Sequence, residues 1–245
     1  MLRQKDKTGK PYSECYLKTI HNQLSAIFNH AVRFYALRTN SAAKAGNMGN
    51  EKRKEMLFWT KEEYLRFADV MMDKPVSYYA FEMLYWSGMR LGELLALIPS
   101  DFDFQNSTVT INKSYQRLHG EDVITTPKTK RSNRTIKMSE FLAEEMQEYI
   151  KMQYEIEPTD RLFPISKSYL HREMERGCKE TGLQKIRIHD LRHSHVSLLI
   201  ELGFSAVVIA DRLGHESIEI TYRYAHLFPS KQNEMANKLN HERSA

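Results

Sequence analysis

Two cysteines, Cys15 and Cys178, are all the thiols in 245 residues. They are far apart and outside any CxxC spacing. That excludes a disulfide framework and a zinc ribbon, and leaves reduced intracellular thiols as the simplest reading. No window approaches the ~20 apolar residues that span a bilayer. The opening MLRQKDKTGK has no apolar segment, so it does not read as a secretory signal. Internal repeats and low-complexity runs are missing as well. These absences predict a soluble, cytoplasmic protein with no membrane partner.

The length suits one large domain or two smaller ones, with a core that needs no staples. Aliphatic and aromatic residues are plentiful enough to exclude global disorder. Lys plus Arg is 36 and Asp plus Glu is 31, a net charge of +5. Its distribution says more than its size. Residues 1–54 carry 11 basic and 3 acidic residues, and the remainder is net −3. A basic front segment is what a polyanion binder needs, because each phosphate contact releases counterions. A solvated helix with surplus lysines is the plainer reading of the same charges.

In chain order, Leu17, Ile20, Leu24, Ile27, Phe28, Ala31 and Phe34 recur at helical steps behind a Ser13 N-cap. This helix fades by Asn40, and residues 41–56 read as a linker. Thr60 with Glu63 forms a capping box that opens a helix to about Met72. A second apolar helix covers 76–86, and Ser87-Gly88 interrupts it. A short helix over 90–97 turns Leu94, Leu95 and Leu97 to a core and stops at Pro99. Short β-branched runs at 108–112, 113–117, 123–126 and 134–138 then predict one small antiparallel sheet, with turns at His119-Gly120 and 130–133. Helices return at 139–152, 168–180, 188–202, 205–213 and 218–225, punctuated by Gly182, Gly203 and Gly214. A polar, helix-prone tail covers 230–240. The fold class is mainly α with a small antiparallel β-sheet.

Polar groups collect in a few places within this apolar frame. Arg90 lies in SGMRLGELLAL, where a guanidinium at a helix start suits a phosphate. A surface pair with Glu93 at i+3 is the plainer alternative. His189, Arg192 and His193 stand at helical spacing in HDLRH. Two histidines at i, i+4 can bind zinc, but the Glu of HExxH and a third ligand are missing. Core histidines remain an alternative. His195 points elsewhere on this helix. Gly214-His215 closes the next helix, and Tyr222 and Tyr224 follow in TYRYAH; packing is the ordinary role of such tyrosines. Lys128, in TPKTKRSNRTI, is either a solvated hairpin residue or an ammonium swung into a cleft as an acid. The helix, Gly-containing turn and helix over 201–224 also have the outline of a major-groove reader. As a set, two arginines, two histidines, a lysine and a tyrosine make a phosphate-transfer site. It needs no metal and no cofactor, because the arginines supply the charge.

Here the order of motifs resembles the tyrosine recombinases, or phage integrase family. The family's T-G-x-R-x-G-E is matched by SGMRLGE at 87–93, with Ser for Thr. H-x-L-R-H is matched by HDLRH at 189–193, L-G-H by 213–215, and the T-x-x-Y-x-H ending by TYRYAH at 221–226. The likeness covers about 57–230. It implies that Arg90 and Arg192 clamp a scissile phosphate, with His189 and His215 supporting it. Lys128 is implied as general acid, with Lys130 as the alternative. Tyr224 is the implied nucleophile, picked over Tyr222 by the spacing from Thr221. Glu93 is expected to orient the site without touching the phosphate, and His193 to stay off it. The implied DNA contacts are Lys18, Arg33, Lys52, Arg53, Lys54, Lys130 and Arg131.

The resemblance implies a site-specific DNA recombinase working through a 3′-phosphotyrosine, without metal or ATP. The implied partners are double-stranded DNA, a homo-tetramer on two DNA sites that is monomeric or weakly associated off DNA, and an accessory directionality factor. Residues 57–245 are then the catalytic domain with a helical tail. Residues 1–40 resemble the end of the family's helical DNA clamp. A type IB topoisomerase-like relaxer and a non-catalytic helix–turn–helix regulator are the competing readings.

Overall fold

Ser13 accepts a hydrogen bond from the Tyr16 N–H at 3.2 Å and opens α1 (Glu14–Phe34). Glu14 in the first turn and Arg33 in the last complement the helix dipole. The computed structural model of the chain describes residue 9 and residues 11–47, 56–126, 130–215, 217–222 and 224. Two units emerge, Met1–Glu55 and Met56–Ala245.

In the first unit α1 ends at Phe34, before the expected Asn40, and Ala36 takes a positive φ of 55°. The stretch read as linker from residue 41 begins as a helix instead, α2 (Ser41–Ala45). Asn40 is the reason. Its Oδ1 accepts the Ala43 N–H at 2.9 Å, a good N-cap, and SAAKA is strongly helix-forming. Its Nδ2 donates to the Ser25 carbonyl at 3.0 Å and to Asn29 Oδ1 at 2.8 Å, which ties α2 to α1.

In the second unit, Thr60 and Glu63 exchange side-chain and backbone hydrogen bonds at 3.3 and 2.9 Å. This capping box starts α3 (Lys61–Met71). Then come α4 (Pro75–Ser87), with Pro at its start, and the brief α5 (Leu91–Leu94). α5 is shorter than the helix expected over 90–97, yet Leu94, Leu95 and Leu97 are all buried. Pro99 does more than stop a helix, because it begins a single 3-10 turn, Pro99–Asp101. The strands β1 (Phe102–Asp103), β2 (Thr108–Ile111), β3 (Ser114–Leu118), β4 (Glu121–Thr125) and β5 (Arg134–Lys137) follow. They form two sheets where one was expected: a three-stranded β1-β2-β5 sheet and a β3–β4 hairpin. β1 has two residues, too few to show an alternating pattern. The hairpin turns at His119 and Gly120, both at positive φ (52° and 87°), as a tight primed turn requires.

α6 (Glu140–Met152) and α7 (Lys167–Thr181) complete a helical body with α3 and α4. Trp59, Tyr64, Phe67, Phe81, Tyr85, Tyr149 and Phe163 fill its core. The last described helices are α8 (Asp190–Glu201), α9 (Ala206–Leu213) and α10 (Ile218–Tyr222). α8 packs on α4, and α9 on α8 and α10. Ser194 in α8 accepts the Trp59 N–H at 2.9 Å, fastening the start of the unit to α8. The helix expected over 230–240 lies outside the described residues. Among the described residues no helix is long and apolar enough to cross a membrane.

Candidate active site

The site forms where α4, α8 and α9 end or begin together. α4 stops at Gly88, whose φ of +65° is left-handed. A Cβ there would lie 2.6 Å from His195 and 2.7 Å from Leu213, so glycine lets the chain end approach α8 and α9 closely. The close approach brings the Gly88 carbonyl to Arg192. Arg192 Nη1 donates to it at 2.7 Å, and Nη2 donates to the Leu213 carbonyl at 2.7 Å. Both acceptors are terminal helix carbonyls, which carry partial negative charge. Arg192 is buried, and among the described residues no carboxylate pairs with it. Burial, then the nearby Arg90 and Arg134 cations, push its pKa down to about 9, which still leaves it charged at neutral pH.

Arg90 stands immediately before α5. Its Nη1 donates to Glu93 Oε1 at 2.9 Å, so the i+3 pair that the sequence offers as the plain alternative does form. The helix-start amide of Arg90 is not open to an anion, because Glu93 Oε2 accepts it at 2.9 Å. Glu93 is also gripped by Arg134, with Nη2 to Oε2 at 2.9 Å and Nη1 to Oε1 at 3.2 Å. Burial works against the Glu93 carboxylate, but Arg134 and then Arg90 hold its pKa below the ordinary value. Two guanidinium groups therefore grip one carboxylate, Arg192 lies near enough to feel its charge, and the surplus positive charge suits a phosphate.

His215 follows Gly214, the left-handed end of α9 at φ +64°. Its Nδ1 lies 2.8 Å from Thr221 Oγ1, and its own N–H donates to the Ala210 carbonyl at 3.0 Å. Burial first, then Arg192, Arg90 and Arg134, lower its pKa to about 3, so the ring is neutral at neutral pH. His189 caps α8 and is exposed at the rim. The protein body behind its ring, and next the Arg192 charge, lower its pKa as well. A cleft of about 470 Å³ is lined by His215 together with Arg131, Asn133, Arg134, Val207, Asp211 and Ile218.

Tyr224 and Tyr222 separate cleanly. Tyr222 is 54% exposed and Tyr224 is 3% exposed. The Tyr224 N–H donates to the Thr221 carbonyl at 3.0 Å. Its ring packs in a small apolar cluster with Val196, Ile200, Ile209 and Leu213. Its hydroxyl bonds to His193 Nδ1, and Tyr224 lies near enough to Arg192 to be among the groups that favour the guanidinium charge.

The structure thus brings together Arg90, Glu93, His189, Arg192, His215 and Tyr224. Lys128, Lys52, Arg53 and Lys54 lie outside the described residues, as does the side chain of Lys130. Arg131 is exposed at the cleft, and Lys18 and Arg33 belong to α1 of the other unit.

Sequence reasoning missed Arg134, Thr221 and Arg212. Arg134 shares a strand face with buried Ile136, and that alternation in RTI is the signal that it points inward. Arg212 braces the frame: its Nε donates to His195 Nε2 at 3.2 Å, and its carbonyl accepts from Arg134 Nε at 3.2 Å. His195 is thereby the structural histidine of α8. Among the described residues no group of three or more His, Cys, Asp or Glu is placed to hold a metal, so the zinc reading of His189 and His193 finds no third ligand there.

The profile of the phage integrase family matches residues 58–231. The ICEBs1 integrase of Bacillus subtilis (strain 168) is 34% identical over 238 residues, which cover 91% of this chain. The chain spans 64% of that relative's length. The tyrosine recombinase XerC of Natranaerobius thermophilus is 28% identical over 233 residues, covering 90% of this chain and 75% of the relative. Among solved structures, the Tn1549 transposon integrase bound to a circular intermediate DNA superposes with a TM-score of 0.75. That match covers 96% of this chain and 80% of the other at 20% identity, a likeness of fold.

Proposed function

The chain belongs to the phage integrase family, and we propose that it cuts and rejoins double-stranded DNA as a tyrosine-type site-specific recombinase. One observation carries the reading: buried Arg192, held by two carbonyls and flanked by Arg90 and Arg134, stands beside buried Tyr224. A cationic pocket next to a phenol suits attack on a phosphodiester.

In this reading Arg90 and Arg192 bind the two non-bridging oxygens of the scissile phosphate. Tyr224 Oη attacks phosphorus, and the bond from phosphorus to the 5′ oxygen breaks. The products are a 3′-phosphotyrosine and a 5′-hydroxyl. Lys128 supplies the proton that the 5′ oxygen takes. A 5′-hydroxyl from a partner strand then attacks the phosphotyrosine and releases Tyr224. One ester replaces another, so no ATP is consumed. His189 and His215 hydrogen-bond the phosphate, and Glu93 orients Arg90 from behind.

Residues 1–40 serve as part of a DNA clamp through Lys18 and Arg33, with Lys52, Arg53 and Lys54 along the following segment and Lys130 and Arg131 on the catalytic unit. Two duplexes need four cleavages, which calls for a homo-tetramer on DNA. The protein works in the cytoplasm, at the nucleoid, for a mobile element, and takes its direction from an accessory factor. The integrase of Staphylococcus phage L54a, 27% identical over 276 residues, supports the mobile-element assignment.

The test incubates the protein with nicked genomic fragments and recovers a denaturant-resistant protein–DNA band. Sequencing the DNA ends in that band then names the site. DNA binding without a band at any site overturns the reading in favour of a regulator. Relaxation of plasmid without a preferred site favours a topoisomerase.

A further inference from the structure

Family motifs assign His193 no contact with the phosphate, yet it is the histidine that meets the tyrosine. Its Nδ1 is hydrogen-bonded to Tyr224 Oη, and the two rings lie 5.5 Å apart at 56°. On the other side of the ring, Nε2 stands 3.7 Å from Asp190 Oδ1. Asp190 is 1% exposed and firmly held. Its carboxylate accepts the Arg187 N–H at 2.8 Å and Arg187 Nη2 at 2.7 Å. Asp190 and His193 are i and i+3 on α8, so the helix itself sets their spacing.

The groups facing His193 among the described residues come from three places. Arg187, His189, Asp190 and Arg192 lie on α8 or just before it, His215 follows α9, and Tyr224 follows α10. His189 meets the His193 ring edge-on at 5.2 Å but is itself exposed. Burial and then His189 lower the His193 pKa to about 4. The ring is therefore neutral at neutral pH. With Nε2–H turned to Asp190, the Nδ1 lone pair faces the phenol. Asp190 lies beyond hydrogen-bond reach of Nε2, so it acts on the ring through its charge, while the hydroxyl is bonded directly to Nδ1, the contact by which a base activates a weak nucleophile.

We propose that His193 is the catalytic base that takes the Tyr224 phenolic proton, with Asp190 as its positioning residue. The proposal rests on the strand-transfer reading above. As the bond from Tyr224 Oη to phosphorus forms and the bond to the 5′ oxygen breaks, the proton on Oη passes to His193 Nδ1. The imidazolium then faces Asp190 through Nε2–H. The proton that the 5′ oxygen takes comes from a separate group, Lys128 in the reading above. In the reverse step His193 returns its proton to the departing phenolate. This separates the three histidines: His189 and His215 act at the phosphate, His193 at the tyrosine.

The experiment measures the rate of covalent adduct formation on a nicked duplex oligonucleotide carrying the recovered end sequence. A second version replaces the 5′ bridging oxygen by sulfur, a leaving group that needs no proton. General-base catalysis is worth about 10²–10⁴-fold. His193→Ala should slow adduct formation by that factor on both substrates, while gel-shift affinity and thermal midpoint stay near wild type. Lys128→Ala should be slow on the oxygen substrate alone. Imidazole in the buffer should restore part of the His193→Ala rate. His193→Gln, which can still accept a hydrogen bond from Tyr224 but cannot take its proton, should be as slow as His193→Ala.

A His193→Ala rate equal to wild type, or restored by sulfur, overturns the proposal. So does full activity in His193→Gln, which would make the residue a positioning group. These outcomes leave the strand-transfer reading standing. Wild-type protein that forms no adduct on either substrate overturns that reading itself, and this proposal with it.

Discussion

Arg134 grips Glu93 by both carboxylate oxygens, at 2.9 and 3.2 Å, and each side chain is under one-tenth exposed. β5 is thereby bolted to α5, and Glu93 is left to steer Arg90 from a fixed position. Removing the guanidinium strands a buried carboxylate whose other partner, Arg90, is 39% exposed. Arg134→Ala should lose about 3–5 kcal/mol in a urea titration. Arg134→Lys should fall between, because an ammonium cannot fork across two oxygens. Where Arg134→Lys still folds, adduct formation should drop more than DNA affinity.

Gly214 ends α9 at φ +64°, and a Cβ there would lie 2.5 Å from the Arg131 carbonyl oxygen, a backbone atom. Gly214→Ala should cost about 1–3 kcal/mol of stability and displace His215. Gly182 ends α7 at φ +68° with nothing within 4 Å of its Cβ position. Gly182→Ala should show a smaller loss, with the adduct rate unchanged. Thermal melts and adduct assays on the two variants separate local strain from disturbance of the site.

Acid should weaken the fold early. His195 is fully enclosed, and burial, then Arg212 and Arg192, bring its pKa to about 3. Its unfolded value is near 6.5, so the unfolded chain binds the proton first. The stabilisation is complete above that pH and is lost as pH falls from about 6.5 toward 3. By pH 5 this one group costs about 2 kcal/mol. His215, also near 3, adds in the same direction. Urea midpoints at pH 7.5, 6 and 5 should fall steadily. His195→Gln, which keeps an acceptor for Arg212 but does not titrate, should flatten the slope.

Tyr224→Phe should abolish the covalent adduct and keep DNA binding, while Tyr222→Phe should keep both. Tyr224 stands against His193 and Arg192, whereas Tyr222 is 54% exposed. An adduct lost in Tyr222→Phe instead would reassign the nucleophile.

Excess EDTA should leave cleavage intact, because in the proposed mechanism Arg90 and Arg192 supply the charge that a metal would bring. The measurement is adduct yield with and without chelator. A requirement for added zinc would return His189 and His193 to the role of ligands.

Local chemistry was readable from the residues alone. The Ser13 and Thr60 caps, the glycine stops at 182, 203 and 214, and the ends of α4 and α9 depend on neighbours within a few positions. The HDLRH and LGH motifs were readable for the same reason, since helical spacing places their side chains. The short strands were readable as strands but not as two sheets, because pairing joins residues such as Ile111 and Arg134 across long loops. The choice of Tyr224 over Tyr222 came from the motif spacing from Thr221, with helical phase placing the two on different faces; in the structure Tyr224 is buried and Tyr222 exposed. The alternation in RTI marks Arg134 as inward, but tertiary packing alone decided three partnerships: that Arg134 meets Glu93, that Arg192 rests on the ends of α4 and α9, and that His193 meets Tyr224. Each depends on where whole elements come to rest, and burial of shared apolar surface sets that, with no mark of the partner at the residue itself.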